Sequence, residues 1–78
     1  MEQSFNTLKE GQSARITSLH TDKNLKRRLL DFGFIEGTKI CYLRKGPGGS
    51  PILCGIRGTA VAVRKTDGAG IFVKLCPS

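Results

Sequence analysis

Arg28-Leu29-Leu30-Asp31-Phe32-Gly33-Phe34-Ile35-Glu36-Gly37-Thr38-Lys39-Ile40 carries a helix end, a turn and the start of a strand in one continuous run. Gly33 supplies the left-handed residue that commonly ends a helix, and Phe34 directly after it is placed to fold back on Leu29, as a Schellman stop requires. Upstream, Thr21 or Asp22 can accept bonds from the free amides of a first helical turn, so a helix is expected over 23–32. Placing successive residues about 100° apart puts Leu25, Leu29 and Phe32 on one stripe that faces the core. Lys23, Lys26, Arg27 and Leu30 fall on the far side, while Arg28 lies nearer the stripe and is expected to tie the helix end to a strand or loop.

Working outward, residues 12–19 read as a half-buried strand in which Ala14 and Ile16 alternate with polar neighbours. Leu8-Lys9-Glu10-Gly11 before it is a turn after a polar start. Downstream, Ile35-Glu36-Gly37 turns the chain into a strand over 38–44, where Thr38, Ile40, Tyr42 and Leu43 are good β-formers. Lys45-Gly46-Pro47-Gly48-Gly49-Ser50 has neither the side chains nor the donors of a strand and reads as an exposed loop. Strands follow over 52–56 and 59–64, joined as a hairpin by Arg57-Gly58, then a polar connection over 65–70 and a closing strand over 71–75. The fold expected is mainly β: about five short strands with one short helix inserted after the first, curled into a small barrel that leaves few exposed edges.

A chain of 78 residues has room for one core, so a single domain over 1–78 is expected. Hydrophobic residues at 38% are enough for a globular fold, and ten glycines, scattered singly or in pairs, read as turns between short strands. Met1-Glu2-Gln3-Ser4 has neither the basic region nor the apolar run of an export signal, and no stretch approaches the ~20 apolar residues of a membrane span. A cytoplasmic location is therefore expected, with no membrane insertion. Cys41, Cys54 and Cys76 are odd in number and widely spaced, so they are expected to be reduced and to pack as small apolar residues. No Cys-x-x-Cys pair supplies the halves of a zinc site, and His20 reads as a surface or turn residue.

A net charge of +7 raises encounter rates with acidic partners: nucleic acid, an anionic membrane face or an acidic protein surface. Catalysis is not expected, because the chain has one His, no nucleophile elbow and no phosphate-binding Gly-Lys-Ser/Thr loop.

These residues in this order resemble the FeoA family, the small cytosolic component of the bacterial ferrous iron transport system. The block 28–40 is similar to the family's Arg-Leu, hydrophobic-Gly-hydrophobic and following Gly before a strand. Gly46-Pro47-Gly48-Gly49-Ser50-Pro51-Ile52 is similar to its loop with two prolines. Gly58-Thr59-Ala60-Val61-Ala62-Val63-Arg64 and Ala69-Gly70-Ile71-Phe72-Val73 are similar to its last two strands. Where family members often carry an acid before the second proline, this chain has Ser50.

The resemblance implies an SH3-like barrel, similar also to the C-terminal domain of iron-dependent repressors. It further implies an accessory or regulator of FeoB, the membrane transporter with a cytosolic GTP-binding domain. No metal ligand set or cofactor is implied for this chain.

The candidate partner-binding residues are Lys23, Lys26, Arg27 and Leu30 on the helix, with Gly48, Gly49 and Ser50 in the loop. Surface charge usually is only a solvated face; what distinguishes this one is Leu30, a large apolar side chain among cations after the core stripe is already supplied. Two other readings stand beside it. One is a basic nucleic-acid-binding barrel, against which the cations are dispersed and no aromatic-basic motif is present. The other is a transition-metal-binding regulator. Phe34 and Tyr42 are expected in the core and not on a base-stacking face.

Overall fold

The computed structural model describes residues 2–76. Its chain order is β1 (Gln3–Ser4), a 3-10 turn (Phe5–Thr7), β2 (Ser13–Leu19), α1 (Lys23–Asp31), β3 (Lys39–Lys45), a 3-10 turn (Pro47–Gly49), β4 (Ile52–Ile56), β5 (Thr59–Val63), α2 (Lys65–Gly68) and β6 (Ile71–Leu75). The strands form one antiparallel sheet in the order β1-β6-β2-β3-β4-β5.

The five longer strands and α1 lie within a residue or two of the positions expected from the sequence. Unexpected are β1, a sixth strand that pairs Gln3 with Val73 and Ser4 with Phe72, and the single turn of α2 inside the polar connection 65–70. Both are shorter than the window over which periodicity can be read.

The strands alternate as half-buried strands should. Ala14 and Ile16 of β2, Ile40 and Tyr42 of β3, Ile52, Cys54 and Ile56 of β4, Val63 of β5, and Ile71 and Val73 of β6 point inward and are buried. Phe5 joins them with no exposed surface, its ring 5.6 Å from that of Tyr42. The register shifts between Tyr42 and Arg44 where β3 meets β4, and between Ile16 and Ser18 where β2 meets β6. Such bulges sharpen the twist of a strand and so help a short sheet to curl. Arg57 and Gly58, both at positive φ, make the two-residue turn of the β4–β5 hairpin.

The helix begins and ends as its sequence dictates. Asp22 caps it, its carboxylate accepting from the Leu25 N–H at 2.8 Å. At the other end the Phe34 N–H donates to Leu29 O at 2.9 Å and the Gly33 N–H to Leu30 O at 3.0 Å, with Gly33 at φ +99°. That is the Schellman pair of bonds, and it leads Phe34, fully buried, toward the core beside Leu29.

One expectation fails here: Phe32 is 51% exposed and not part of the core stripe. The wheel assumed a helix running through residue 32, whereas Phe32 is the C-cap and the chain reverses at the next residue. Phe34 fills the position beside Leu29 instead, and Leu25 packs at the margin of the core.

Candidate docking surface around α1

Because α1 buries only Leu29 fully, most of its surface is available for contact. On one flank, Leu25 and Arg28 share a polar groove with Arg64 and Asp67; just past the C-terminus of α1 the Arg57 side chain lies against Gly33. Arg28 is exposed and lines this groove beside the chain that leaves β5. On the other flank, Lys26 and Leu30 line a groove of about 300 Å³ with Ile16 and Leu19 of β2, Phe34 and Glu36. Leu30 is 43% exposed, and Lys23 and Arg27 stand free on the helix surface. Phe32 and Ile35 add further exposed apolar side chains just beyond the helix end. The helix candidates therefore divide: Lys26 and Leu30 edge one groove, while Lys23 and Arg27 flank it along α1.

The loop candidates lie elsewhere. Gly48 and Gly49, at φ +73° and +86°, form a tight turn closed by the Gly46 N–H on Pro51 O at 2.8 Å. Ser50 precedes a cis peptide to Pro51, and its Oγ accepts from the Lys65 N–H at 3.1 Å at the start of α2. Ser50 is half-buried and holds two connections together, and none of the three loop residues lines the Leu30 groove.

The remaining chemistry-bearing residues are dispersed. Cys54 is buried and its thiol is pushed up to about 12 by loss of solvation and by Cys41 nearby. Cys41 and Cys76 are only half-buried, so the expectation that all three thiols pack inside holds in full for Cys54 alone. All three are free thiols. His20 is an exposed turn residue set edge-on to Phe72, with Nε2 3.0 Å from Ser18 Oγ. Ser18 and Thr17 both donate to the Glu2 carboxylate and hold it below the usual carboxylate range. Among the described residues, no three of His, Cys, Asp and Glu come together as a metal site would need. Nor is any helix among them long and apolar enough to cross a membrane.

A curled antiparallel sheet of six short strands with a helix against one side defines a small SH3-like barrel. Within that class the chain belongs to the FeoA domain family, whose model matches residues 4–75. It is 34% identical over 71 residues to the Campylobacter jejuni protein named "Putative Fe(2+) transport protein A", covering 91% of this chain and 96% of that one. The solution structure of the FeoA protein from Chlorobium tepidum is similar with a TM-score of 0.92 and 32% identity, over 96% of this chain and 71% of that one. The FeoA of Stenotrophomonas maltophilia, an SH3 domain protein solved with zinc, is similar with a TM-score of 0.81 and 29% identity over 92% and 89% of the two chains. A manganese-dependent transcriptional repressor shares the fold alone, at 14% identity and a TM-score of 0.88 over 96% of this chain and 37% of that one.

Proposed function

We propose that this chain is an accessory protein of ferrous iron transport that acts in the cytoplasm as one domain over 1–78. It docks on an acidic cytosolic surface of the FeoB transporter. Lys26, Arg27 and Leu30 form the centre of contact, Lys23 extends it along α1, and the Gly48-Gly49-Ser50 turn offers a second point of contact. The observation that carries this reading is the exposed Leu30 side chain, which edges a groove together with Lys26 in a member of the FeoA family. A large exposed apolar side chain with cations beside it on the same helix matches the pattern of an interface anchor with a charged rim. The name of the Campylobacter jejuni relative supports iron transport as the setting.

The chain's part in the process is binding, and its effect on the transporter follows from differential affinity. A bound protein shifts a conformational equilibrium only as far as it prefers one state. Co-precipitation with the cytosolic region of FeoB, with and without a GTP analogue, tests both points. Binding that differs between nucleotide states is the expected result. Absence of binding in either state overturns the proposal.

A further inference from the structure

All six acidic residues lie outside the stretch 38–66, which holds Lys39, Arg44, Lys45, Arg57, Arg64 and Lys65. That stretch is the β3-β4-β5 part of the sheet. Its inward face is the core, so its outward face is built from the alternate residues: Cys41 opposite Gly55, Gly55 opposite Ala60, Arg44 opposite Leu53, and Leu53 opposite Ala62. The solvent side of an antiparallel sheet is usually polar; this one is apolar between two rows of cations.

The bulge in β3 leaves Leu43 outside the pairing, 42% exposed. Its side chain lies over Gly55, where an added Cβ would sit 3.5 Å from Leu43 Cδ1. Around it is an open groove of about 420 Å³ lined also by Gly55, Ala60, Lys39 and Arg57. A second groove, of about 460 Å³, holds Leu53, Ala62, Pro47 and Pro51 with Arg44 and Lys45 beside it. Two acids approach from other elements: Glu10, whose carboxylate accepts from the Lys45 N–H at 3.3 Å, and Asp67, in the polar groove with Arg64. Neither lines the two apolar grooves.

We propose that this outward face is a second docking surface, separate from α1, which takes an acidic protein segment that seats a large apolar side chain beside Leu43 while its carboxylates meet the flanking cations. Charge complementarity selects an acidic occupant. The small residues Gly55, Ala60 and Ala62 leave room beside Leu43 and Leu53 for an incoming side chain. A bilayer would call for a broad face of several protruding apolar groups, where Leu43 is flanked by Gly55 and Ala60, and single-stranded nucleic acid would call for exposed aromatic platforms. Tyr42, the aromatic of these strands, is buried on the other face.

The test uses the isotope-labelled chain at low salt. The probe is a twelve-residue peptide of alternating glutamate and leucine. Its comparators are the lysine-leucine and glutamate-serine versions, a mixed-sequence RNA of the same length and phosphatidylserine-containing vesicles. The glutamate-leucine peptide should move the amide signals of Leu43, Leu53, Gly55, Ala60 and Ala62 and bind at least tenfold more tightly than either altered peptide. Leu43→Ser with Arg44→Glu should abolish this, and Ala62→Glu gives an independent variant should the first not fold. A variant carrying Lys26→Glu, Arg27→Glu and Leu30→Ala should bind the peptide normally, so failure of this surface and failure of the α1 surface are told apart. Shifts confined to α1, no shift at all, or stronger binding of the RNA or the vesicles overturns the proposal.

Discussion

At residue 50 a single hydroxyl joins two connections that are far apart in sequence. Ser50 Oγ accepts from the first N–H of α2, whose own N-cap, Arg64, makes no side-chain cap bond. An aspartate at this position could accept the same bond. Replacing Ser50 by Ala should cost about 1 kcal/mol, the typical loss of such a capping bond. Ser50→Asp should retain the stability, and urea unfolding of the two variants checks both.

The thiol of Cys54 behaves in the opposite sense to an exposed cysteine. Burial and the neighbouring Cys41 raise it from an ordinary 9.0 to about 12, so the fold holds a proton that the unfolded chain releases. The stability contributed is complete below the ordinary thiol value and is lost as pH rises through that window. A colorimetric thiol reagent at pH 8 should modify Cys41 and Cys76 first and leave Cys54 intact until denaturant is added. Early modification of Cys54 in the native protein would show the site to be open. The identity of this buried thiol was not legible in the sequence, where all three cysteines looked alike, because only the register of β4 separates Cys54 from Cys41 on the outer side.

At the scale of the element, the helix was legible because its start and stop are chemical. Asp22 supplies an acceptor, Gly33 supplies the positive φ, and Phe34 returns to the core. Phe32 misled the wheel because periodicity carries no information about the residue at which a helix ceases to be periodic. Phe5 was invisible for a related reason. A lone aromatic among Gln3, Ser4, Asn6 and Thr7 makes no pattern, although it is wholly buried once β1 pairs with β6.

Gly33→Ala should destabilise the fold by about 1–2 kcal/mol from the left-handed conformation alone. Further cost comes from the Arg57 side chain, whose Cδ lies 3.3 Å from where the new methyl would sit. Leu30→Ala, at an exposed position, should leave the unfolding midpoint nearly unchanged. The pair of denaturation curves separates the helix's structural face from its free one.

At the scale of the whole molecule, the sheet divides its labour by face and the helix by flank. The interior takes the isoleucines of the strands with Tyr42, Val63 and Val73, joined by Phe5 and Phe34. The outside carries two apolar features among cations, one beside Leu30 and one beside Leu43. The first was readable from the wheel. The second was half readable: the absence of acids from 38–66 is plain in the sequence, but that Leu43, Leu53, Ala60 and Ala62 share one surface depends on a bulge and a hairpin register. Residues 48–50 looked like a free loop for want of any periodicity, whereas contacts with Pro51 and Lys65 tie that loop down.

Docking through α1 is the claim on which the functional reading rests, and transporter-dependent uptake of ferrous iron by cells tests it most directly. Cells that carry the chain with Lys26→Glu, Arg27→Glu and Leu30→Ala should lose that uptake, while the purified variant keeps the unfolding midpoint of the original. Undiminished uptake by a normally folded variant would contradict the account.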